Sequence, residues 1–478
     1  MYKRILMLSA LTAAFIGTQA KVRLPHILGD DMVIQQNTDV RLWGTSRPGA
    51  TVKVAVSWGA DTYQAAADKQ GKWQLKVKSP AADGKRLSIS FDDGDGAVTV
   101  KNVMAGEVWV CAGQSNMEMP IKGFEECPVE GYNEIVAGAR ADSLIHFVKI
   151  PGVMSMKPLE DAGCEWRQCA PSTVGDASAT GYFFARMVTR ATGVPVGLVM
   201  ANKGGSRVES WLNEDNLKKY TDEPTDTAGI VKQFDGDYKR TLVWGNGTFN
   251  PILNYTVKGI LFYQGCSNVG APGNQYSDRV ALLAKQWREA FGEGDIPFYI
   301  VEIAPYGSGN VNGTWSAKLR EQQLRASRII PNSGFVCTND CVYPYETTQI
   351  HPTQKRPVGE RLAWQALNKT YGMKEILCES PSYKSMTVSS DTCYIALDNT
   401  YGGLNRYYGM EGFEVAGADK VFHKATGWFV KGRGIAVVSP EVKAPVAVRY
   451  CFRNFQLGNV ANMGGLPLIP FRTDDWDE

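Results

Sequence analysis

The chain has 478 residues, of which 44% are hydrophobic, and it carries 51 Lys and Arg against 49 Asp and Glu. A nearly balanced charge gives no reason to expect nucleic acid or an anionic membrane surface as a partner. The length is sufficient for two or three domains, each with a core of its own.

The first twenty residues, M-Y-K-R-I-L-M-L-S-A-L-T-A-A-F-I-G-T-Q-A, have a basic start, an apolar middle and a small-residue end. This order predicts a secretory signal that is cut after Ala20, and therefore a periplasmic or secreted protein. The apolar run is too short to span a bilayer. No other stretch of the chain approaches that length, so we expect a soluble mature protein without membrane insertion.

Residues 21–105 are predicted to form an N-terminal β-sandwich domain. The stretches T-V-K-V-A-V-S-W, G-K-W-Q-L-K-V and K-R-L-S-I-S-F alternate apolar and polar positions, as half-buried strands do. Turn-forming clusters at 68–71 and 92–96 separate them. The length suits a sandwich of roughly seven strands.

Residues 106–372 change to alternating strand and helix patterns. Apolar strands are predicted at 144–150, 194–201, 257–263, 296–303 and 334–338, and helices at 178–192, 277–291, 317–330 and 357–371. Continuous apolar strands between amphipathic helices indicate an α/β domain with a parallel sheet covered on both faces. The polar segment 214–256 is predicted to form loops near the site. Residues 373–478 return to strand patterns and form a C-terminal β-rich region.

Ten cysteines are compatible with export but do not form a dense disulfide framework. Cys164 and Cys169 are close enough in sequence to pair, as are Cys337 and Cys341, while the connectivity stays open. The sequence has no C-x-x-C, no H-E-x-x-H and no clustered histidines. We therefore predict no catalytic metal.

The stretch 107–119, E-V-W-V-C-A-G-Q-S-N-M-E-M, reads as a short apolar strand that delivers Ser115 at its carboxyl end. Gly113 can supply the unusual backbone that such a strand end needs. An ordinary turn is the commoner explanation of a lone G-x-S. The stretch lacks the second glycine of G-x-S-x-G, which excludes the α/β-hydrolase elbow as the match.

A serine nucleophile needs a base, and the chain has four histidines. His351 lies in Q-I-H-P-T-Q-K, a loop directly before a predicted helix, where it could reach Ser115 at the edge of a sheet. His26 and His423 fall in the β-rich regions. His146 lies inside an apolar strand and is interpreted as a core residue.

Acyl transfer also needs hydrogen-bond donors for the developing oxyanion. K-G-G-S-R-V-E-S-W offers close backbone approach at Gly204 and Gly205, and Y-Q-G-C-S-N offers the side-chain amides of Gln264 and Asn268. Each stretch follows a predicted parallel strand, so both should lie at the same sheet edge as Ser115.

Four blocks, G-Q-S-N-M at 113–117, G-G-S-R-V-E-S-W at 204–211, Y-Q-G-C-S-N at 263–268 and I-H-P-T-Q-K-R-P-V-G-E-R-L at 350–362, together resemble the sialate O-acetylesterase family. That family belongs to the SGNH hydrolases and includes acetyl-xylan esterases. The resemblance implies an SGNH-type, flavodoxin-like three-layer fold without a cofactor. It makes Ser115 the nucleophile and His351 the general base. Its oxyanion hole would consist of the Ser115 amide, Gly205 or Gly204, and Asn268, with Gln264 close by.

Two positions depart from the family pattern. Cys266 stands where a Glu usually follows Q-G, and Thr348 stands where SGNH enzymes tend to carry an Asp three residues before the histidine. The group that orients the imidazole is therefore open. Glu346 is favoured over Asp340 because it is closer in sequence, and a Ser-His dyad that uses a backbone carbonyl is the alternative.

These residues predict an esterase that removes acetyl groups from sugar hydroxyls, with O-acetylated sialic acids as the first choice and plant polysaccharides such as acetyl-xylan as the second. A non-catalytic carbohydrate-binding protein is the rival from another class. Gln114, Trp211 and Tyr263 are predicted substrate contacts, and Tyr343 and Tyr345 also fall beside the catalytic loops. The oligomeric state cannot be read from the sequence.

Overall fold

The structure is a computed structural model that describes residues 21–270, 275–405 and 409–476. The predicted signal, residues 1–20, lies outside the described residues. Strands of the N-terminal domain are β1 (Val33–Gln35), β2 (Asp39–Thr45), β3 (Thr51–Val56), β4 (Thr62–Ala66), β5 (Lys72–Lys78), β6 (Leu87–Asp92) and the first part of β7 (Val98–Gly113).

The strands of this domain form two sheets that share one core. One sheet pairs β2 with β5, and the other has the order β4, β3, β6, β7, β1. In β3 the valines at 52, 54 and 56 are buried while Thr51, Lys53 and Ala55 point outward, which is the alternation that the sequence predicted. The expected sandwich of about seven strands is confirmed.

The second domain contains strands β8 (Ile145–Lys149), β9 (Trp166–Gln168), β10 (Val196–Asn202), β11 (Gly259–Tyr263), β12 (Phe298–Val301) and β13 (Ser333–Val336). Its helices are α1 (Ser115–Glu118), α2 (Tyr132–Gly138), α3 (Ala179–Thr192), α4 (Glu214–Leu217), α5 (Thr227–Gln233), α6 (Tyr276–Phe291), α7 (Trp315–Ile329) and α8 (Arg356–Gln365). The predicted strands and long helices of this domain are thus found within a few residues of their expected places.

The sheet of the second domain has the order β13, β12, β11, β7, β10, β8, β9, and only the short edge strand β9 is antiparallel to its neighbour. Alternate side chains of β7 face opposite layers. Trp109 and Cys111 pack with α3 and α8, whereas Val108, Val110 and Ala112 belong to the core that includes α6 and α7. Helices therefore cover both faces, as the apolar strands indicated.

Strand β7 belongs to both domains. Residues 98–103 pair with β6, residues 104–106 pair with β1, and residues 107–113 lie between β10 and β11. The predicted boundary between residues 105 and 106 therefore falls inside one continuous strand. Buried Glu107 adds a polar link, because its carboxylate accepts hydrogen bonds from Gln35 and Gln36 at 3.1 and 2.7 Å.

The C-terminal region is an antiparallel sheet with a core of its own, which confirms the second β-rich region. Its strands are β14 (Ser382–Ser389), β15 (Thr392–Asp398), β16 (Met410–Ala416), β17 (Phe422–Val430), β18 (Gly434–Val438), β19 (Ala447–Tyr450) and β20 (Phe471–Arg472). Buried Arg320 of α7 donates to the carbonyl oxygens of Cys451 and Arg453 and so fastens this region to the second domain.

All ten cysteines are free thiols, so neither of the two pairings considered from spacing is formed. Across residues 21–270, 275–405 and 409–476, no helix has the length and apolar character needed to cross a membrane. The same residues contain no cluster of three or more His, Cys, Asp or Glu side chains suited to a metal ion.

Substitution of Gly106 tests how tightly the two domains pack where β7 passes from one to the other. A β-carbon there would lie 2.3 Å from the carbonyl oxygen of Pro195 and 2.9 Å from Cγ1 of Val33. Both neighbours are buried, so we expect Gly106→Ala to lower the free energy of unfolding by about 1–3 kcal/mol, measured by urea denaturation. Gly138→Ala, where nothing lies within 4 Å, is the control and should be neutral. A Gly106→Ala protein as stable as the control would contradict the tight junction.

Candidate active site

Ser115 lies immediately beyond the carboxyl end of β7. Gly113 ends the strand with a φ of +129°, and a β-carbon there would lie 2.2 Å from the carbonyl oxygen of Tyr263. Only glycine fits this close approach. The next amide, that of Gln114, donates to the same carbonyl at 2.9 Å, and α1 then begins at Ser115. The strand end thus presents Ser115 where the sheet order changes direction, the usual ligand edge of such sheets.

The loop that carries His351 is attached to the residue after Ser115. Nδ2 of Asn116 donates to the carbonyl oxygen of Ile350 at 3.0 Å. Nζ of Lys355 donates to Oδ1 of Asn116 at 2.8 Å. The structure therefore brings the two predicted catalytic loops together although they are far apart in sequence.

His351 is half-buried. Its Nδ1 is 3.7 Å from Sγ of Cys127, and the edge of its ring meets Phe124 with the ring centroids 5.3 Å apart. Burial, with a smaller contribution from the positive charge of Lys355, lowers the pKa of His351 to about 4. The imidazole is therefore unprotonated at neutral pH, which is the form that a general base requires.

Glu346, the predicted orienting acid, uses both carboxylate oxygens within its own loop. They accept from the amides of Tyr343 at 2.7 Å and Thr353 at 3.0 Å. Asp340 forms a two-pronged ion pair with Arg361 at 2.6 and 2.7 Å. Sequence distance could not reveal these partners. The orienting role of Glu346 stays a prediction, and the contacts of both acids favour the dyad.

Gly204 and Gly205 form the turn that follows β10. A β-carbon on Gly204 would lie 3.5 Å from Cβ of Ser115, so this turn lies directly against the predicted nucleophile. The Gly204 amide donates to Oε2 of Glu118 at 2.6 Å. Among the residues described, the amides of Ser115 and Gly205 have no hydrogen-bond partner. The protons of these two amides are therefore not taken up by another group of the protein, whereas that of Gly204 is.

Asn268 and Gln264 are fully buried beside this turn. Oδ1 of Asn268 accepts from the Val208 amide and from Nε2 of Gln264, and its Nδ2 donates to the Glu209 carboxylate at 2.9 Å. Nδ2 also lies 3.3 Å from the other oxygen of this carboxylate, so both of its hydrogen bonds go to Glu209.

Gln264 uses both protons of its side-chain amide within the protein. Its Nε2 also donates to the Ser206 carbonyl, and its Oε1 accepts from the hydroxyl of Tyr276. It therefore positions Asn268 and cannot itself bind an oxyanion.

The predicted substrate contacts of Trp211 and Tyr263 need correction. The Trp211 ring is fully buried and donates through Nε1 to Oγ of Ser206, and the Tyr263 ring is 2% exposed within the core. Other side chains of the core enclose both rings, so a sugar cannot reach either of them. Gln114 is also buried, and its Oε1 accepts from the Gly265 amide at 2.8 Å. Its contact with substrate stays a prediction.

Several site residues escaped the sequence analysis. Asn116 and Lys355 stand inside blocks that were recognised, yet only the fold shows that they touch. Glu209, which holds Asn268, also accepts from Arg279 in a buried ion pair. Cys127 lies more than two hundred residues before His351, and no local pattern links the two. An isolated Asn, Lys or Cys carries little signal in a single sequence.

A strand end with a serine, a histidine on the adjoining loop, and unpaired amides make this edge of the sheet the candidate active site of a hydrolase. A family model described as carbohydrate esterase, sialic acid-specific acetylesterase, matches residues 105–368, and a bacterial Ig domain model matches residues 29–105. The first match covers more than half of the chain, and the chain belongs to this carbohydrate esterase family.

Individual relatives agree with the family. Human sialate O-acetylesterase is 25% identical over 396 residues, which cover 75% of this chain and 73% of the relative. The mouse sialate O-acetylesterase is 23% identical over 419 residues, covering 76% of each chain. A crystal structure of a carbohydrate acetylesterase from Xanthomonas citri is 31% identical and covers 95% of this chain and 100% of its own, with a TM-score of 0.84.

Glu346→Gln distinguishes a loop role from a triad role. The glutamine would keep one acceptor oxygen and turn its NH₂ toward the second amide, so we expect a loss of about 1–3 kcal/mol in unfolding free energy. Turnover should fall far less than the roughly 10⁴-fold loss seen when an orienting carboxylate is removed. Glu130→Gln, an exposed carboxylate beside Tyr343, is the control. A folded Glu346→Gln protein with a triad-sized loss would make Glu346 the orienting acid.

Proposed function

We propose that this carbohydrate esterase removes O-acetyl groups from sialic acids through a serine acyl-enzyme, in the periplasm or outside the cell. The observation that carries the proposal is the arrangement at the end of β7. Ser115 lies there beside two unpaired amides, and Asn116 connects it to the loop of a neutral His351. Binding of a sugar alone would require neither a neutral base nor free amides.

In the proposed reaction, Oγ of Ser115 attacks the acetyl carbonyl carbon while His351 takes the hydroxyl proton. The amides of Ser115 and Gly205, together with the side-chain amide of Asn268, stabilise the oxyanion. The imidazolium then protonates the sugar oxygen as its bond to the acetyl carbon breaks. A water molecule that gives its proton to His351 attacks the acetyl-enzyme, which releases acetate and restores Ser115.

The finer fold assignment, an SGNH-type flavodoxin-like domain, is also part of the proposal. It is supported by the parallel sheet, by helices on both faces, and by the position of Ser115 at the carboxyl end of a central strand. We further propose a Ser-His dyad. Nδ1 of His351 faces a thiol at 3.7 Å, while both nearby carboxylates have other partners.

Sialic acid is favoured as the substrate because the family model and the mammalian relatives carry that specificity in their descriptions. Acetyl-xylan and other plant polysaccharides present the same acetylated hydroxyl, and pocket shape decides between them. Acetate release from O-acetylated sialic acid, measured beside acetylated xylan, tests the choice.

The export proposal depends on the basic and apolar pattern of residues 1–20, and N-terminal sequencing of the exported protein would test it.

Ser115→Ala and His351→Ala should each abolish hydrolysis of an activated acetyl ester, with a loss of about 10³-fold or more and little change in stability. His423→Ala is the matched control, since this histidine lies in β17 and pairs with Glu441. Substantial turnover by folded Ser115→Ala protein would refute the serine mechanism. If all of these variants kept their esterase activity, a non-catalytic role for the site would be favoured.

Tyr345 is the proposed sugar platform. Its ring is 77% exposed and stacks on Tyr343 with centroids 5.2 Å apart, in the loop that leads to His351. Aromatic faces suit the apolar faces of sugars. We expect Tyr345→Ala to raise KM for an acetylated sugar roughly fivefold and to leave p-nitrophenyl acetate kinetics unchanged. Trp428→Ala, an exposed aromatic of β17, is the control. An unchanged KM for the sugar would remove Tyr345 from the substrate site.

A further inference from the structure

The peptide carbonyls on both sides of His351 are held by one pair of side chains. Nδ2 of Asn116 donates to the carbonyl oxygen of Ile350 at 3.0 Å, and Nζ of Lys355 donates to that of Pro352 at 2.6 Å. Nζ also donates to Oδ1 of Asn116 at 2.8 Å. We call this pair the Asn116–Lys355 clamp. It fixes the backbone of His351 relative to the residue that follows Ser115.

The clamp is anchored in the scaffold at both ends. Asn116 is 1% exposed and its carbonyl oxygen accepts from Oγ1 of Thr180 in α3 at 3.2 Å. Lys355 is 2% exposed and directly precedes α8, where its carbonyl oxygen accepts from the Gly359 amide. The backbones of both residues are therefore tied to helices that cover the sheet, and both side chains are buried.

The charge of Lys355 is not neutralised by contact. In the part of the chain that the structure describes, no carboxylate lies within 4 Å of Nζ. Burial lowers the pKa of Lys355 to about 7, and the groups that oppose this effect are Glu346 and the thiols of Cys341, Cys266 and Cys127. Cys127 also contacts Nδ1 of His351, and among residues 21–270, 275–405 and 409–476 Lys355 is the charged group that lowers the pKa of this imidazole. The ammonium therefore acts on the imidazole without a competing charge of comparable strength.

We propose, on the basis of the function proposed above, that Lys355 is a positioning residue that holds His351 toward Ser115 through Asn116 and keeps the imidazole unprotonated in acidic solution. A cation beside a histidine disfavours the second positive charge, so the base stays active at a lower pH. As the pH rises through the pKa of Lys355, the neutral amine keeps two protons, which suffice for both hydrogen bonds of the clamp.

The acid limb of kcat/KM for an acetyl ester measures this effect, because it reports the ionisation of the base in the free enzyme. For the wild type we expect a limb near pH 4. Removing the cation makes the imidazolium less unfavourable, so the limb should move upward by roughly one pH unit in Lys355→Met and in Lys355→Gln. Lys355→Met also loses both donors, and kcat/KM on the plateau should fall roughly tenfold or more. Lys355→Gln keeps a donor and should retain more activity.

Lys384→Met, an exposed lysine of β14, is the control and should leave the profile unchanged. NMR titration of His351 in the inactive Ser115→Ala protein gives a readout that does not depend on turnover, with His351→Ala providing the assignment. A wild-type-like acid limb in a folded Lys355 variant would overturn the inference, as would a His351 that titrates above pH 6 in Ser115→Ala. Absence of esterase activity in the wild type would instead refute the proposed function and leave this titration to decide the role of Lys355.

Discussion

The pairing of β7 on both of its edges is the constraint on which the molecule depends. Its first half closes a sheet of the N-terminal sandwich, and its second half lies between β10 and β11. Every residue of the strand from Val103 to Gly113 is buried. Because hydrogen bonds on both sides fix the path of β7, the position of Ser115 is fixed as well.

A second constraint is a buried polar network that includes Asn268, one of the proposed oxyanion donors. Glu209, Asn268, Gln264 and Tyr276 form a buried chain of hydrogen bonds that ends in the ion pair with Arg279. A buried network of this kind is stable only when its members are mutually satisfied. Its members therefore fix the amide of Asn268 in one orientation before any substrate arrives, and the cost of ordering that donor is met during folding.

Much of the architecture could be predicted because buried faces of strands and helices produce a regular spacing of apolar residues in the sequence. The valines at 52, 54 and 56 revealed a half-buried strand. The helical spacing of Val280, Leu283, Trp287 and Ala290 predicted one inner face of α6, where the first three are buried and Ala290 is exposed. Ser115 could be predicted because a strand end and a glycine precede it.

The roles of Glu346, Trp211 and Lys355 could not be predicted, because each depends on partners far away in sequence. A carboxylate near a histidine can accept from backbone amides instead, and an aromatic beside a catalytic loop can equally fill the core. Lys355 looks like an ordinary residue before a helix until the fold buries it against Asn116.

The strand β7, which the two domains share, also bears on whether the Ig-like domain can be regarded as a separate unit. Family models divide the sequence at residue 105, but a cut there would leave Val108, Val110 and Ala112 without the sandwich residues that belong to the same core. Such a cut would also separate the two halves of one continuous strand. The Ig-like domain is therefore packed as part of the esterase and shares its core.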